Sequence, residues 1–263
     1  LIMQKLNDEY GGRLQTAIDI FTGKHPKIFL HQLVSSQLDV DRLDYLARDS
    51  FFTGVSEGVV GYERILKMLT VHEGELVVEE KGIHSIEKFL ISRRFMYWQV
   101  YLHKTVLSSE LMLVTILKRA KELARQNIPL FATPAMNFFL RQSLSMHDFQ
   151  QDPQCLEQFL LLDDNDVICC IKVWSSHQDP ILADLCTRLN NRSLFKVRFL
   201  TNETEQEIVE WKKALQQNLH LTDEEINWYF IRDTTSNRTY HEGDEDIRIV
   251  YRNGDITTIT EVD

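Results

Sequence analysis

No run of about 18 consecutive apolar residues occurs in the chain, which argues against a simple membrane-crossing helix. No basic stretch leads into an apolar one at the start, so no secretory leader is read there. The four cysteines, Cys155, Cys169, Cys170 and Cys186, contain no CxxC pair and read as buried free thiols of a reducing compartment rather than as disulfides or metal ligands. Positive charge is also in deficit. A formal net charge of -10 gives no general pull toward nucleic acid or anionic lipid, although a local basic pocket for a phosphate ligand stays open. The glycine pairs Gly11-Gly12 and Gly58-x-x-Gly61 lack the strand-before, helix-after setting of a phosphate loop and read as turns. These absences favour a cytoplasmic protein whose partner is a small molecule or another protein, with no membrane or nucleic-acid role.

What is present is ordinary globular composition, 43% hydrophobic and 26% charged over 263 residues, enough for one large domain or two smaller ones. Residues 1 to 69 read as short helices punctuated by Gly and Pro. Two extended pieces, Thr70 to His72 and Glu75 to Glu80, flank the turn Glu73-Gly74. From Ile83 to about Gln126 there is neither Gly nor Pro, and apolar residues recur at helical steps, which predicts one very long helix or two with a bend. Short helices are predicted around Ala135 to Leu144, Pro153 to Leu162, Asp164 to Trp174 and Pro180 to Leu189. The acidic run Asp163-Asp164-Asn165-Asp166 suits a helix N-terminus better than a calcium loop. Leu194 to Leu200 reads as a strand, and Thr204 to Gln217 as a helix with Thr204 and Glu207 as a capping box. Trp228 to Arg232, Ile247 to Tyr251 and Ile256 to Thr260 read as strands, the last two joined by the hairpin signal Asn253-Gly254.

The segment Gln37 to Asp49 carries the most chemistry. At about 100° per residue, with Asp41 at zero, Tyr45 falls near 40°, Asp49 near 80° and Arg42 near 100°, while Leu43, Leu46 and Ala47 gather on the opposite side. One helix thus presents two carboxylates, a phenol and a guanidinium on one face. Surface ion pairs three and four residues apart produce the same pattern, so spacing alone leaves both readings open. A second stripe lies further on. With Arg93 at zero, Tyr97 lies near 40°, Tyr101 near 80° and Lys104 near 20°.

The block Leu38-Asp39-Val40-Asp41-Arg42-Leu43-Asp44-Tyr45-Leu46-Ala47-Arg48-Asp49, followed by Phe51-Phe52-Thr53-Gly54-Val55, resembles the last metal-ligand region of the HD-domain deoxynucleoside triphosphate triphosphohydrolases, a dGTPase-like family. The block from Arg93 to Lys104 resembles the same family's nucleotide-contacting helix. The resemblance covers residues 1 to about 125. It implies that Asp41 is a ligand of a divalent metal (Mn, Fe, Zn or Mg), that Arg42 contacts the triphosphate, that Tyr45 lies beside phosphates and sugar, and that Asp49 accepts a hydrogen bond from the sugar 3′-hydroxyl. It places Arg93, Tyr97, Tyr101 and Lys104 against the substrate, with Tyr101 crowding the sugar 2′ carbon, and gives Lys81 and Ser85 weaker contacts. Tyr97 departs from the family, where the vertebrate enzyme has histidine. The His and His-Asp ligands that such a metal needs are not found ahead of Asp41. The one His-Asp dipeptide, His147-Asp148, comes too late in the order.

The expected architecture is therefore mainly α: an HD-type helical body with a long helix and a small C-terminal α+β region. Residues 1–127 are read as the C-terminal part of the HD-type domain without its metal-binding N-terminal portion, 128–190 as a helical continuation and 191–263 as a small α+β appendage. Leu1 to Leu6, apolar and uncapped, reads as the middle of a domain, so the chain is expected to be a fragment, inactive alone. The expected function of the intact protein is metal-dependent hydrolysis of a deoxynucleoside triphosphate to deoxynucleoside and triphosphate, in a homo-oligomer with a possible nucleotide activator. The alternatives are hydrolysis of another phosphate ester, or a nucleotide-binding regulatory or assembly module.

Overall fold

The structure, a computed structural model, describes residues 2–200, 202–235 and 246–262. The chain divides into two compact units, Leu1–His103 with Thr235–Asp263, and Lys104–Thr234. The mainly α class is as expected. Among the described residues no single helix is long and apolar enough to cross a membrane.

The first unit opens with α1 (Ile2–Glu9), α2 (Gln15–Phe21) and α3 (Ile28–Val34), and then α4 (Val40–Thr53). Helix α4 ends at Gly54, whose φ of 72° closes the helix in the left-handed conformation that glycine adopts without strain. Its buried face is Leu43, Leu46 and Ser50. After α5 (Tyr62–Met68), strands β1 (Leu69–His72) and β2 (Glu75–Glu79) form a hairpin with His72 opposite Glu75. Glu73 and Gly74 both have positive φ, 52° and 87°, the conformation that suits the twist of a two-residue hairpin.

Helix α6 (Ile83–Met96) runs into a π-helical turn, Tyr97–Tyr101, in which Leu102 N donates to Tyr97 O at 2.7 Å. The helical ladder stops there, so Ile83 to Gln126 forms two helices. The next, α7 (Lys104–Arg125), opens the second unit, followed by α8 (Pro134–Arg141), α9 (Met146–Gln151), α10 (Pro153–Leu161), α11 (Asp164–Trp174), α12 (Pro180–Asn190), α13 (Glu205–Leu219) and α14 (Ile226–Tyr229).

Strands β3 (Arg248–Val250) and β4 (Ile256–Thr258) return to the first unit and complete a sheet of order β1-β2-β3-β4. β3 pairs in parallel with β2, Val78 opposite Ile249, and antiparallel with β4 around the predicted Asn253-Gly254 turn. The C-terminal hairpin is thus half of a sheet begun near residue 69; residues 236–245 lie outside the described residues. Two strand expectations are corrected. Leu194 to Leu200 pairs with no strand among the described residues, and Trp228 lies in α14. In the former segment the backbone of Phe195 is taken up by side chains of α7: Ser108 Oγ donates to Phe195 O at 2.7 Å, and Phe195 N donates to Met112 Sδ at 3.3 Å.

Each unit has its own core. In the first, Leu46, Ile65, Ile86, Phe89, Met96 and Ile249 are completely buried. Gly58 belongs to this packing, because a Cβ there would run into Met96 Sδ. In the second, Ile116, Leu182, Leu185, Cys170 and Cys186 are completely buried around Trp174, whose indole N–H donates to Phe131 O at 2.8 Å. The thiols follow the expectation except at Cys169, which is exposed; burial pushes the Cys186 thiol up to about 12.

The Arg119–Asp179 pair ties α7 to the start of α12. Arg119 Nη2 lies 2.5 Å from Asp179 Oδ2, the two side chains being 15% and 12% exposed, and Asp179 also caps α12 through Leu182 N at 2.8 Å. Burial raises the Asp179 pKa, but the Arg119 hydrogen bond, the α12 amide and the Arg119 charge outweigh it, leaving the carboxyl below its ordinary value. A depressed carboxyl stabilises the fold above its unfolded-state value, and that contribution is lost as pH falls through the native value. Asp179→Asn keeps the cap and leaves Arg119 with only the more exposed Glu122 as charge partner, so urea unfolding at pH 7 should show a loss of about 2 kcal/mol. The difference from the unsubstituted chain should shrink below about pH 4.

Candidate functional site

Helix α4 starts where it does because Asp39 is its N-cap. The Asp39 side chain is 3% exposed; Oδ1 accepts from Arg42 N at 2.8 Å and Oδ2 from Ser36 N at 3.2 Å. The Arg42 guanidinium folds back over this cap and donates to Asp39 Oδ2 and to the Ser36 carbonyl. Two residues earlier in the same segment, Gln37 Oε1 accepts from Arg93 Nη1 at 3.2 Å. Arg93 comes from α6 and is 5% exposed, and Gln37 is 4% exposed. The loop from Ser36 to Asp39 therefore holds two guanidinium groups, one from each helix. The Nε of both arginines has no hydrogen-bond partner among the described residues.

Three phenols surround this pair of cations. Tyr45 and Tyr101 meet edge to face with ring centroids 6.3 Å apart, and Tyr97 and Tyr101 do so at 5.2 Å. The Arg93 guanidinium stands 5.9 Å from the Tyr97 ring centroid. Tyr101 donates its hydroxyl to Asp49 Oδ2 at 2.7 Å, which joins the π-helical turn after α6 to the far end of the polar face of α4. Such π-helical turns concentrate at functional sites because they shift side chains off the regular wheel.

Two of the phenols, Tyr45 and Tyr101, are held neutral by their surroundings. Burial raises the Tyr45 pKa, against the lowering pull of Arg93 and Arg42. Burial raises Tyr101 as well, and the hydrogen bond to Asp49 and its negative charge raise it further. Chemically the wall offers an anion the Arg93 guanidinium, which has no carboxylate partner among the described residues, with Arg42 held on Asp39, and a carboxylate, Asp49, that can accept from a hydroxyl donor.

Of the residues singled out in the sequence, Arg42, Tyr45, Asp49, Arg93, Tyr97 and Tyr101 come together in the first unit. Lys104 belongs to the second unit, where its ammonium stands 5.4 Å from the Phe199 ring centroid. The wheel that put it on the Arg93 stripe assumed an unbroken α-helix, and the π-helical turn ends that regularity. Ser85 accepts from Arg64 Nε at 3.2 Å, and Lys81 pairs with Glu79 at 3.7 Å. Asp41 is exposed on the first turn of α4. No three His, Cys, Asp or Glu side chains among the described residues converge in a way that could hold a metal ion. Asp41 alone does not make a metal centre. Gln37 and Asp39 escaped the sequence reading as functional positions; the one signal was Asp39 at an N-cap position ahead of an apolar helix.

Comparison with known proteins supports the class. Residues 60–148 match the family described as HD associated region. The protein YwfO of Bacillus subtilis is 33% identical over 236 residues, 87% of this chain and 52% of that protein. The deoxynucleoside triphosphate triphosphohydrolase SAMHD1 homolog of Dictyostelium discoideum is 29% identical over 122 residues, 44% of this chain and 24% of that protein. Among solved structures, a phosphohydrolase from Bacteroides thetaiotaomicron superposes with a TM-score of 0.91 at 48% identity, over 99% of this chain and 65% of that one. By these matches the chain is similar to proteins of the HD superfamily. The chain spans about half the length of the curated relatives it matches best in extent, 52% and 46%.

Asp39 and Asp41 should separate cleanly on substitution. Asp39→Ala removes a cap and uncovers the Arg42 pair, so chemical denaturation should show a loss of about 3 kcal/mol. Asp41→Ala, at an exposed position, should leave the unfolding midpoint nearly unchanged.

Proposed function

We propose that this chain forms the phosphate-and-sugar wall of the site of an HD-superfamily phosphohydrolase that acts on deoxynucleoside triphosphates and releases deoxynucleoside and triphosphate. The observation that carries the reading is the buried Arg93 guanidinium, beside Arg42 and next to the Tyr101–Asp49 hydrogen bond. A triphosphate needs concentrated, oriented positive charge, and guanidinium geometry meets it with paired donors. The sugar needs a hydroxyl acceptor and a shape limit. Asp49 Oδ1 can accept from a 3′-hydroxyl while Oδ2 holds Tyr101, and the phenol so fixed crowds the 2′ position against ribonucleotides. An unmatched hydroxyl there costs discrimination of a few kcal/mol, on the order of that seen where no partner is offered.

The name of the Dictyostelium discoideum relative supports the deoxynucleotide, and that of the Bacteroides thetaiotaomicron structure supports phosphoester hydrolysis. The sequence resemblance adds a divalent metal, with Asp41 as one ligand, together with a homo-oligomer and a nucleotide activator. The metal would polarise the reacting phosphate and supply the attacking water. The roles left to this chain's own residues are binding, orientation and charge compensation.

The test uses the whole polypeptide that carries this chain, purified with Mn²⁺ and assayed for inorganic triphosphate release across a panel of dNTPs and NTPs, with and without nucleotide activators. Release from at least one dNTP is expected, abolished by EDTA. Arg93→Ala should lower kcat/KM by roughly 100-fold, and Asp41→Ala should lower it by roughly that factor or more. Binding of dNTP with no hydrolysis under any of these conditions would replace the enzyme with the nucleotide-binding module.

A further inference from the structure

A buried guanidinium normally meets a carboxylate, because an uncompensated charge removed from water is costly. Arg42 follows that rule through Asp39. Arg93 does not. None of the ion pairs among the described residues involves Arg93, although it is the more deeply buried of the two. Its contacts are the Gln37 amide oxygen at 3.2 Å, a side-chain hydrogen bond with Tyr45 and the face of Tyr97, and its Nε is left without a partner among the described residues. All of these surroundings are neutral, and the neighbouring Tyr45 phenol is held protonated by burial.

From this contrast we infer that Gln37 is a positioning residue whose neutrality matters as much as its reach: together with Tyr45 it holds the Arg93 guanidinium through neutral hydrogen bonds while leaving the positive charge uncompensated for a polyphosphate anion. The inference rests on the anion-site reading given above and deepens it. An acid of the same length at position 37 would reach the same Nη1 with a charge-assisted bond, which is stronger and which competes directly with the ligand. The fold would then gain an ion pair at the expense of the site. The amide gives orientation without that competition, and the desolvation cost of the bare cation is recovered when the anion binds.

The experiment measures binding of inorganic tripolyphosphate to the 263-residue chain by calorimetry, together with the thermal midpoint. Gln37→Glu should keep or raise the midpoint and weaken tripolyphosphate binding by about tenfold or more, since the anion must displace an internal carboxylate. A residue with a merely structural role would do the reverse, lowering the midpoint and leaving affinity intact. Gln37→Met, neutral but without an acceptor, should weaken binding by a smaller factor, and it decides the matter if the glutamate variant does not fold. Arg93→Met, which removes the charge at similar volume, should abolish binding. If Arg93→Met abolishes binding while both Gln37 variants stay within about twofold of the parent chain, the inference about Gln37 is overturned and the anion site stands. If the parent chain itself does not bind tripolyphosphate, both are overturned.

Discussion

The first unit is organised around a problem of electrostatics: two guanidinium groups, carried by α4 and α6, converge on the four residues from Ser36 to Asp39, Arg93 buried and Arg42 half-buried. Like charges so placed repel, and each loses hydration, so the chain needs strong local compensation. The segment from Ser36 to Asp39 supplies it with one carboxylate, one carbonyl and one amide oxygen. The same carboxylate starts α4, so the geometry of the helix and the placement of Arg42 are set by one atom group. Everything downstream on the polar face of α4, including Tyr45 and Asp49, inherits its position from that cap.

Compensation is deliberately unequal. Asp39 neutralises Arg42 internally, whereas Arg93 keeps its charge. A site of this kind is preorganised at a thermodynamic cost, and the neutral tyrosines explain how it is tolerated: their edges and faces fill the space that water would otherwise occupy. The hydrogen bond from Tyr101 to Asp49 serves the same end, since it leaves that carboxylate able to accept from a hydroxyl donor while tying the π-helical turn after α6 to α4.

Much of this was legible in the sequence because local rules governed it. The polar face of α4, its buried leucines, the Thr204/Glu207 capping box and the Asn253-Gly254 turn all follow from spacing and turn chemistry, and all appear where those rules put them. What was not legible depended on tertiary context. Gln37 carries no pattern that marks it as buried, and its importance arises only when α6 brings Arg93 against it. Lys104 was placed on the Arg93 stripe by a wheel that a π-helical turn invalidates, and no residue between Met96 and His103 announces that turn. Leu194 to Leu200 alternates like a strand, but Ser108 and Met112 side chains take up its backbone at Phe195. The parallel pairing of β3 with β2 joins residues too far apart in sequence for any local signal.

That last pairing has a consequence for how the molecule is made. Arg248 reaches Glu75 across 173 positions of chain, and Ile249 completes a core begun by residues near the start. The sheet that carries them cannot close until the whole of Lys104–Thr234 has been synthesised. The second unit, contiguous in sequence, is free to collapse as it emerges; the first must wait with the outer edge of β2 unpaired. Assembly of the first unit is thus the later, longer-range step of folding, and during synthesis its exposed strand is the stretch most open to pairing with the wrong partner.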